Sequence, residues 1–397
     1  MKYFHKLFLI AIATVLLWQP AQAQDIDPSE LNGGVNTVIT SIPFLRINPD
    51  GRAGGMGDVG IATAPDANSM YHNMAKLAFA EDRMGMGITY TPWLKALVND
   101  MFIGYVSGYK KLDDLQAIST SIRYFNLGSI QFTDESGIET VQFNPHELAF
   151  DLGYSRKLSE KLSAGLTLKY VYSNLAKGQT GASGEINVAG AVAADLSVYY
   201  ENDMVVGERD SRLRIGGAIS NVGNKVSYTQ DKVKDFIPIN LSVGSSYTLD
   251  LDEHNSITFA AEFNKLLVPT PDTINVIDPE AGVFDHREVS LFSGMFGSFA
   301  DAPGGFSEEL REITIQLGAE YWYNDQFAFR AGYFHEHASK GNRKFMTMGV
   351  GVKYEIFGLN FSYLIPTAGM GTHPLENTLR FTLFFDLDKG MSALADD

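Results

Sequence analysis

The dominant pattern from about residue 84 onward is a strict alternation of apolar and polar side chains. It is clearest in 161–173, 311–323 and 326–336, where one apolar face alternates with one polar face. A period of two places successive side chains on opposite faces of a β-strand. About 14 such strands are predicted from this period, near 84–91, 99–109, 115–125, 147–157, 161–173, 187–201, 211–220, 238–249, 255–266, 311–323, 326–336, 343–355, 357–366 and 376–386.

The connections between these strands alternate between short and long. Short turns are predicted at Ser159-Glu160, at Asn324-Asp325 and around Ile356, and longer loops near 126–146, 174–186, 221–237 and 267–310. Every second connection of an antiparallel barrel lies at the same end, so the short turns fall at one end and the long loops at the other, as in outer-membrane barrels. The fold class predicted is a 14-stranded antiparallel transmembrane β-barrel. The alternative is a soluble sandwich or a propeller, and a propeller needs a repeat that the sequence lacks.

Side chains on the two faces support the membrane barrel. The outer faces are predicted to carry tyrosines at strand ends, as an aromatic girdle requires, namely Tyr90, Tyr109, Tyr154, Tyr172, Tyr200, Tyr247, Tyr321, Tyr354 and Tyr363. The inner faces are predicted to carry charges of both signs: Asp151, Lys169, Asp195, Glu262, Glu320, Arg330, Glu336, Lys353 and Arg380.

The residues before the first strand differ from the barrel in composition. Lys2 and Lys6, the apolar run 7–18 and the small residues Ala21 and Ala23 predict a signal peptide at 1–23, so the mature chain begins at Gln24. Residues 24–83 are predicted to form an N-terminal extension and hatch that plugs the lumen. The barrel is assigned to 84–390, and 391–397 is a short periplasmic tail.

Within 24–83, a glycine-rich run and a helical stripe are the candidate hatch-packing residues. They are Gly54, Gly55, Gly57, Gly60, Met70, Met74 and Leu77. Met70, Tyr71, Met74, Leu77 and Ala78 recur at helical spacing and predict one short amphipathic helix. Gly55, Gly57 and Gly60 satisfy G-x-G-x-x-G, but a turn rather than a strand precedes them, so close packing is favoured over nucleotide binding.

Composition narrows the function further. The chain has 397 residues, a formal net charge of -16 and no cysteine. The negative charge argues against nucleic acid, and the absence of cysteine excludes disulfides, thiolate metal sites and cysteine nucleophiles. His335 and His337 are a weak metal pair and are interpreted as loop-edge histidines. We find no catalytic constellation in the sequence, so no enzyme activity, metal or cofactor is predicted.

Several motifs resemble a known family. They are PFLRI at 43–47, AGGMGD at 53–58, ATAPDANSMYHN at 62–73 and KLA at 76–78, followed by the barrel pattern. The chain resembles the FadL-like outer-membrane barrels and, within them, the PorV family of the type IX secretion system. Many relatives have Asn-Pro-Ala where this chain has Asn73-Met74-Ala75.

The resemblance implies an outer-membrane protein whose loops face the cell surface. It also implies that the protein binds cargo by its C-terminal signal domain and carries it from the translocon barrel to the surface sortase. The expected partners are that translocon, the cargo, the sortase and the lipid bilayer. The alternative function is FadL-like transport of small hydrophobic molecules, which needs an apolar luminal pocket and a gap in the barrel wall.

The loop 267–310 is the candidate partner or cargo site. Outer loops are mostly polar, yet this one contains Leu291, Phe292, Met295, Phe296 and Phe299. A short helix would place Phe292, Met295, Phe296 and Phe299 on one face. That stripe is interpreted either as a docking face for a partner or as a lid that folds into the barrel mouth.

Overall fold

A computed structural model describes residues 36–387, except 96, 134–138, 182–183, 230–233, 272–286 and 368–373. The predicted signal peptide and the C-terminal tail therefore lie outside the described residues. The strands are β1 (Met84–Pro92), β2 (Phe102–Lys111), β3 (Gln116–Asn126), β4 (Ile130–Thr133), β5 (Glu139–Phe143), β6 (His146–Lys157), β7 (Leu162–Asn174), β8 (Thr180–Gly181), β9 (Gly184–Glu185), β10 (Ala189–Val206), β11 (Arg209–Gly223), β12 (Asn240–Asp252), β13 (Asn255–Leu266), β14 (Thr314–Tyr323), β15 (Phe327–His335), β16 (Lys344–Tyr354), β17 (Phe357–Pro366) and β18 (Leu379–Asp386).

The helical elements are short. They comprise α-helices at Gly51–Gly55, Ser69–His72, Leu291–Gly297 and Phe306–Arg311, and 3-10 helices at Pro43–Arg46, Met74–Phe79 and Ala338–Lys340. Within the described part of the chain, none of these helices combines the length and the apolar character that a membrane span requires.

Fourteen of the strands form one closed antiparallel barrel, which confirms the predicted architecture. Its order is β1-β2-β3-β6-β7-β10 and onward in sequence to β18, which pairs with β1 and closes the ring. The remaining strands form two small hairpins, β4–β5 and β8–β9, within long connections for which the sequence predicted only loops. β10 and β11 extend beyond their predicted ends to a tight turn at Gly207, whose positive φ suits glycine.

The connections divide as the sequence predicted. The short ones, at 112–115, 158–161, 207–208, 253–254, 324–326 and 355–356, share one end, which we call the short-turn end. The long ones, at 93–101, 127–145, 175–188, 224–239, 267–313, 336–343 and 367–378, share the other, the long-loop end. β14 begins at Thr314, later than predicted, because Phe306–Arg311 is helical.

The two faces of the barrel carry opposite chemistry. Leu317 and Phe329 are 47 % and 57 % exposed on the outside, whereas their neighbours Gln316 and Ala328 are buried inside. The predicted inward charges are all buried except Lys353, which is half-buried. At the long-loop end, ring contacts join neighbouring strands in a continuous aromatic band formed by Tyr90, Phe102, Tyr124, His146 and Tyr172.

One predicted girdle residue points the other way. Tyr109 is buried on the inner face, where its hydroxyl donates to the backbone oxygen of Asp82 at 3.2 Å. In β2 the inward face carries Ile103 and Tyr105, while Gly104 and Gly108 occupy the outward face. Alternation is weak in this strand because two of its outward positions are glycines, so the pattern assigned Tyr109 to the wrong face.

Candidate functional site

Residues 36–80, which we call the luminal segment, run through the barrel from one end to the other. At the long-loop end the Asn36 N–H donates to the backbone oxygen of Ser339, and the Ser41 N–H donates to that of Phe236. At the short-turn end Lys111 Nζ donates to the backbone oxygen of Ala80 at 2.9 Å. The segment therefore enters at the long loops and leaves beside the start of β1.

The helical stripe in this segment is interrupted. Ser69–His72 and Met74–Phe79 are separate helical turns, because Asn73 adopts an extended conformation with φ -161°. The Asn73 side-chain amide donates to the backbone oxygens of Ile61 and Val198, and its oxygen accepts from the Ala75 N–H. The prediction of one continuous helix was wrong because these side-chain hydrogen bonds compete with helix formation.

Near the long-loop end an arginine of the barrel wall is enclosed by two aromatic rings of the segment. The Arg123 guanidinium lies 5.4 Å from the Phe44 ring centre and 4.9 Å from that of Tyr71. It also donates to the backbone oxygen of Leu45 at 3.2 Å. Arg123 is 1 % exposed, so cation–π attraction and hydrogen bonding here hold the segment to the wall in a water-poor setting.

Halfway along the lumen, a buried ion-pair network joins the segment to the wall. The Asp50 side chain accepts from the N–H groups of Arg52 and Ala53 and begins the short Gly51–Gly55 helix. Arg52 Nε and Nη2 bind the two Glu320 oxygens at 2.9 and 2.7 Å, and Arg330 Nε binds Glu320 at 2.6 Å. Removing one member leaves an uncompensated buried charge, which is strongly destabilising.

The glycines singled out in the sequence lie at close approaches between segment and wall. An added Cβ would lie 2.6 Å from Arg380 Nη1 at Gly54 and 3.0 Å from the Gly349 Cα at Gly55. Gly57 has φ +71° and faces the Tyr333 backbone, whereas Gly60 abuts the ring of His72 within the segment itself. No strand lies between residue 36, where the described chain begins, and the G-x-G-x-x-G run; residues 51–55 form a helical turn instead.

Wall glycines face the segment in return. A Cβ at Gly318 would lie 2.6 Å from the Met56 backbone oxygen, and one at Gly332 would overlap the Gly57 backbone. A Cβ at Gly216 would overlap the carbonyl of Ile61. Glycine permits this backbone contact because it has no side chain.

The three predicted apolar packing residues lie toward the short-turn end. Met70, Met74 and Leu77 form one buried cluster with Ala80, Tyr109 and Ala117. The Met74 sulfur also lies over the inner face of β6 at Gly153. Lys76, which is 1 % exposed, donates to the Gly60 backbone oxygen and to Thr63 Oγ1.

Beside the segment lies a polar cavity of about 120 Å³. Its lining includes Arg46, Asp58, Lys169, Glu262 and Gln316. Lys169 binds Asp195 at 3.1 Å, and Glu262 accepts from the N–H groups of Gly60 and Ile61. Space of this kind suits water and polar groups rather than an apolar ligand.

The loop 287–313, which we call the mouth loop, divides its apolar residues between two faces. Met295 is 6 % exposed and packs on Val38, Phe236 and Leu267, and Leu291 is half-buried against the same cluster. Phe292, Phe296 and Phe299 are 62, 72 and 47 % exposed. The prediction that Met295 shares a face with the phenylalanines was therefore wrong, because the Leu291–Gly297 helix turns Met295 inward.

Two further apolar residues of the mouth loop are also exposed. Phe306 and Leu310, on the Phe306–Arg311 helix, are 77 and 53 % exposed. We call Phe292, Phe296, Phe299, Phe306 and Leu310 the aromatic face. Sequence reasoning missed the last two because it ended the pattern at Pro303-Gly304-Gly305, although their i, i+4 spacing was available as a signal.

The paired histidines do not converge. His335 lies on the outer face beside Tyr333, whereas the His337 side chain accepts from the Ser339 N–H and begins a 3-10 turn. Among the described residues, no group of three or more acidic or histidine side chains is arranged to hold a metal ion.

The fold and the inner and outer faces define a class of protein. A closed antiparallel barrel with an apolar outside, an aromatic band at one end and a polar interior is an outer-membrane β-barrel. The profile of the family described as type IX secretion system protein PorV matches residues 31–273, more than half of the chain. The chain therefore belongs to the PorV family, as the sequence motifs indicated, and is an outer-membrane secretion component and not an enzyme.

Solved structures similar to this chain include a hydrocarbon channel, a toluene transporter and a FadL homologue. A TodX deltaS2S3 mutant, a monoaromatic hydrocarbon channel, is 12 % identical with a TM-score of 0.48, covering 84 % of this chain and 97 % of its own. The Ralstonia pickettii toluene transporter TbuX is 11 % identical with a TM-score of 0.45, covering 85 % and 97 %. A Pseudomonas aeruginosa FadL homologue is 11 % identical with a TM-score of 0.43, covering 88 % and 99 %. No curated protein matches the chain in sequence.

Proposed function

We propose that this barrel binds secreted cargo by the cargo's C-terminal signal domain and passes it from the type IX translocon to the surface sortase. The observation that carries this proposal is the aromatic face. Its five large apolar side chains are 47–77 % exposed on one loop at the long-loop end. Large apolar side chains exposed together on one loop are typical of an interaction surface, and exposed aromatic side chains are typical interface anchors.

The direction of the aromatic face favours cargo over the translocon as its occupant. The opposite side of the Leu291–Gly297 helix, at Gly294 and Met295, packs on Phe236 and Pro269 at the barrel mouth. Phe292 and Phe296, on the other side of this helix, therefore point away from the lumen. With the long loops at the cell surface, a partner that has already crossed the membrane meets this face directly.

The lumen supports a binding role rather than transport of hydrophobic molecules. The luminal segment fills it with buried contacts, and we propose that this segment is a hatch that closes the passage. The cavity beside it is lined by charged and amide side chains such as Arg46, Glu262 and Gln316. An apolar ligand would leave these polar groups without partners, which costs free energy.

The proposal is tested with a purified cargo signal domain immobilised on a surface. The double change Phe292→Asp, Phe296→Asp places two carboxylates on the aromatic face, and we expect affinity to fall by about tenfold or more. The matched control is Leu97→Asp, Val98→Asp, because those residues are 58 and 38 % exposed on another loop at the same end. Heat-modifiable gel migration verifies that each variant forms the barrel.

Three outcomes distinguish whether the aromatic face binds cargo, binds the translocon or forms a lid. Loss of signal-domain binding in the aromatic variant alone supports the proposal. Unchanged binding of the signal domain with loss of translocon copurification would contradict it and assign the face to the translocon. A variant that does not fold would favour the lid interpretation, and the single Phe296→Ser change would then be measured in the same assay.

A further inference from the structure

The base of the mouth loop is fixed by a cluster of buried charges, which we call the latch. Lys265, on β13, binds Glu309 at 2.9 Å and Glu312 at 2.5 Å. Lys340, in the 336–343 loop, binds Glu308 at 2.5 Å and Glu312 at 2.9 Å. Both lysines and Glu309 and Glu312 are less than a tenth exposed. The latch thus ties the helix that carries Phe306 and Leu310 to two different parts of the barrel.

The upper end of the luminal segment lies directly against this loop. Asn36 Nδ2 donates to Glu308 Oε1 at 3.3 Å and to the Pro271 backbone oxygen at 2.8 Å. Two residues on, Val38 is 9 % exposed in the apolar cluster that buries Met295. The segment therefore contacts both the latch and the inner side of the Leu291–Gly297 helix.

From these contacts we infer that residues 36–38 form the surface on which the mouth loop packs, which we call the seat. We also infer that the loop presents its aromatic face for binding only while it is packed on this seat. The binding part of this inference rests on the function proposed above. The seat determines the orientation of the face, because one side of the Leu291–Gly297 helix is packed and only the other is free. A change inside the lumen therefore alters partner binding at the surface.

The latch charges give a physical reason for the loop to leave its seat when an ammonium group is removed. Two lysines face three glutamates in a site with little water, so the carboxylates already outnumber the ammonium groups that compensate them. Removing one ammonium leaves buried carboxylates uncompensated. The least costly response is for Glu308 and Glu312 to return to water, which requires the loop to leave its seat.

Chymotrypsin measures seating without any partner, because it cleaves after phenylalanine and the aromatic face supplies the sites. Val38→Asp places a charge beneath Met295, and we expect cleavage of the mouth loop to accelerate by about tenfold or more, since proteolysis follows the population of the open loop. Ile39→Asp is the matched control, because Ile39 is the next residue and is 74 % exposed. Equal cleavage rates in Val38→Asp and Ile39→Asp would overturn the seat.

Two less disruptive variants are measured in the same cleavage assay, so that the inference is tested even if Val38→Asp does not fold. Asn36→Ala removes the contacts to Glu308 and Pro271, and Lys340→Met removes one ammonium group of the latch. Both are expected to increase cleavage, whereas Lys177→Met, at an exposed lysine of another loop, leaves it unchanged. No acceleration in either variant would overturn the inference.

Binding of the immobilised signal domain then tests the second half of the inference. Weaker binding by Asn36→Ala, with its aromatic face unaltered, is the expected result. Faster cleavage with unchanged binding would overturn the link between seat and binding. If Phe292→Asp, Phe296→Asp also binds normally, the proposed function fails instead, while the cleavage data still report on the seat.

Discussion

A single Cβ at Gly216 is expected to destabilise the protein, because that glycine touches the luminal segment backbone. Gly216 lies on the inner face of β11, where an added Cβ would overlap the Ile61 carbonyl oxygen and lie 2.8 Å from its carbon. The adjacent Gly217 lies on the other face, and its nearest neighbour would be a Val198 methyl group at 3.6 Å, an ordinary contact. Gly216→Ala and Gly217→Ala are therefore matched changes that differ only in the face of the strand.

Two opposing effects determine how much each substitution changes the free energy of unfolding. Overpacking a well-packed interior costs about 1–3 kcal/mol, and the Ile61 backbone that blocks Gly216 has no flexible side-chain end to move aside. Alanine in a strand interior is favoured over glycine by about 0.5–1 kcal/mol. Both variants share the alanine gain, so we expect the free energy of unfolding of Gly216→Ala to lie about 1–3 kcal/mol below that of Gly217→Ala, and that of Gly217→Ala to equal or slightly exceed the wild-type value.

The assay is urea unfolding of the refolded barrel in lipid vesicles, followed by tryptophan fluorescence. Trp322 is a suitable reporter, because its ring lies 5.4 Å from the Arg330 guanidinium in the network that holds the luminal segment. Equal unfolding midpoints for the two variants would show that the segment does not pack against β11. That result would refute the conclusion that the luminal segment packs closely against the inner wall of the barrel.

The other predictions concern the membrane face, the lumen and pH. Leu317→Arg is expected to cost about 2–4 kcal/mol in lipid vesicles, whereas Gln316→Ser costs much less; equal costs would mean that the register is wrong. The intact protein in a planar bilayer is expected to show little steady conductance, and large stable channels would contradict closure by residues 36–80. Burial raises the pKa of Glu308, but the hydrogen bond and charge of Lys340 outweigh it and hold the pKa below its usual range. The stabilisation that Glu308 contributes through Lys340 is therefore full above about pH 4.5, the ordinary pKa of the group, and is lost as the pH falls through its lower folded-state pKa, so the temperature of gel-mobility conversion should decline below about pH 4.5 more in the wild type than in Lys340→Met.

The barrel could be predicted from the sequence because every strand is subject to the same physical constraint. One face of each strand meets lipid and the other meets a polar interior, so the period of two appears in every strand. The pattern fails where a strand carries glycine on one face, as it did for Tyr109. It also fails where polar and apolar residues mix, as at the extended ends of β10 and β11.

The candidate site was harder to predict because its contacts are distant in sequence. Arg52 and Glu320 are far apart in the chain, and only the closed barrel brings them together. Periodicity placed Met295 with the phenylalanines, since the sequence carries no information about which side of a short helix meets Phe236. The latch could not be predicted from the sequence either, because lysines and glutamates in loops ordinarily face water.

Closure of the barrel also has a consequence for the route by which the chain folds. Thr382 on β18 bonds Thr89 on β1 across the closing seam at 2.7 Å, and the same hydroxyl accepts the Gly51 N–H of the luminal segment. The first and last strands thus meet at a point that the segment itself occupies. Joining the two ends of the sheet is therefore coupled to enclosing the segment, and the long sequence separation of these contacts makes their formation slow. Substituting Thr382 is expected to delay closure as well as to loosen the segment.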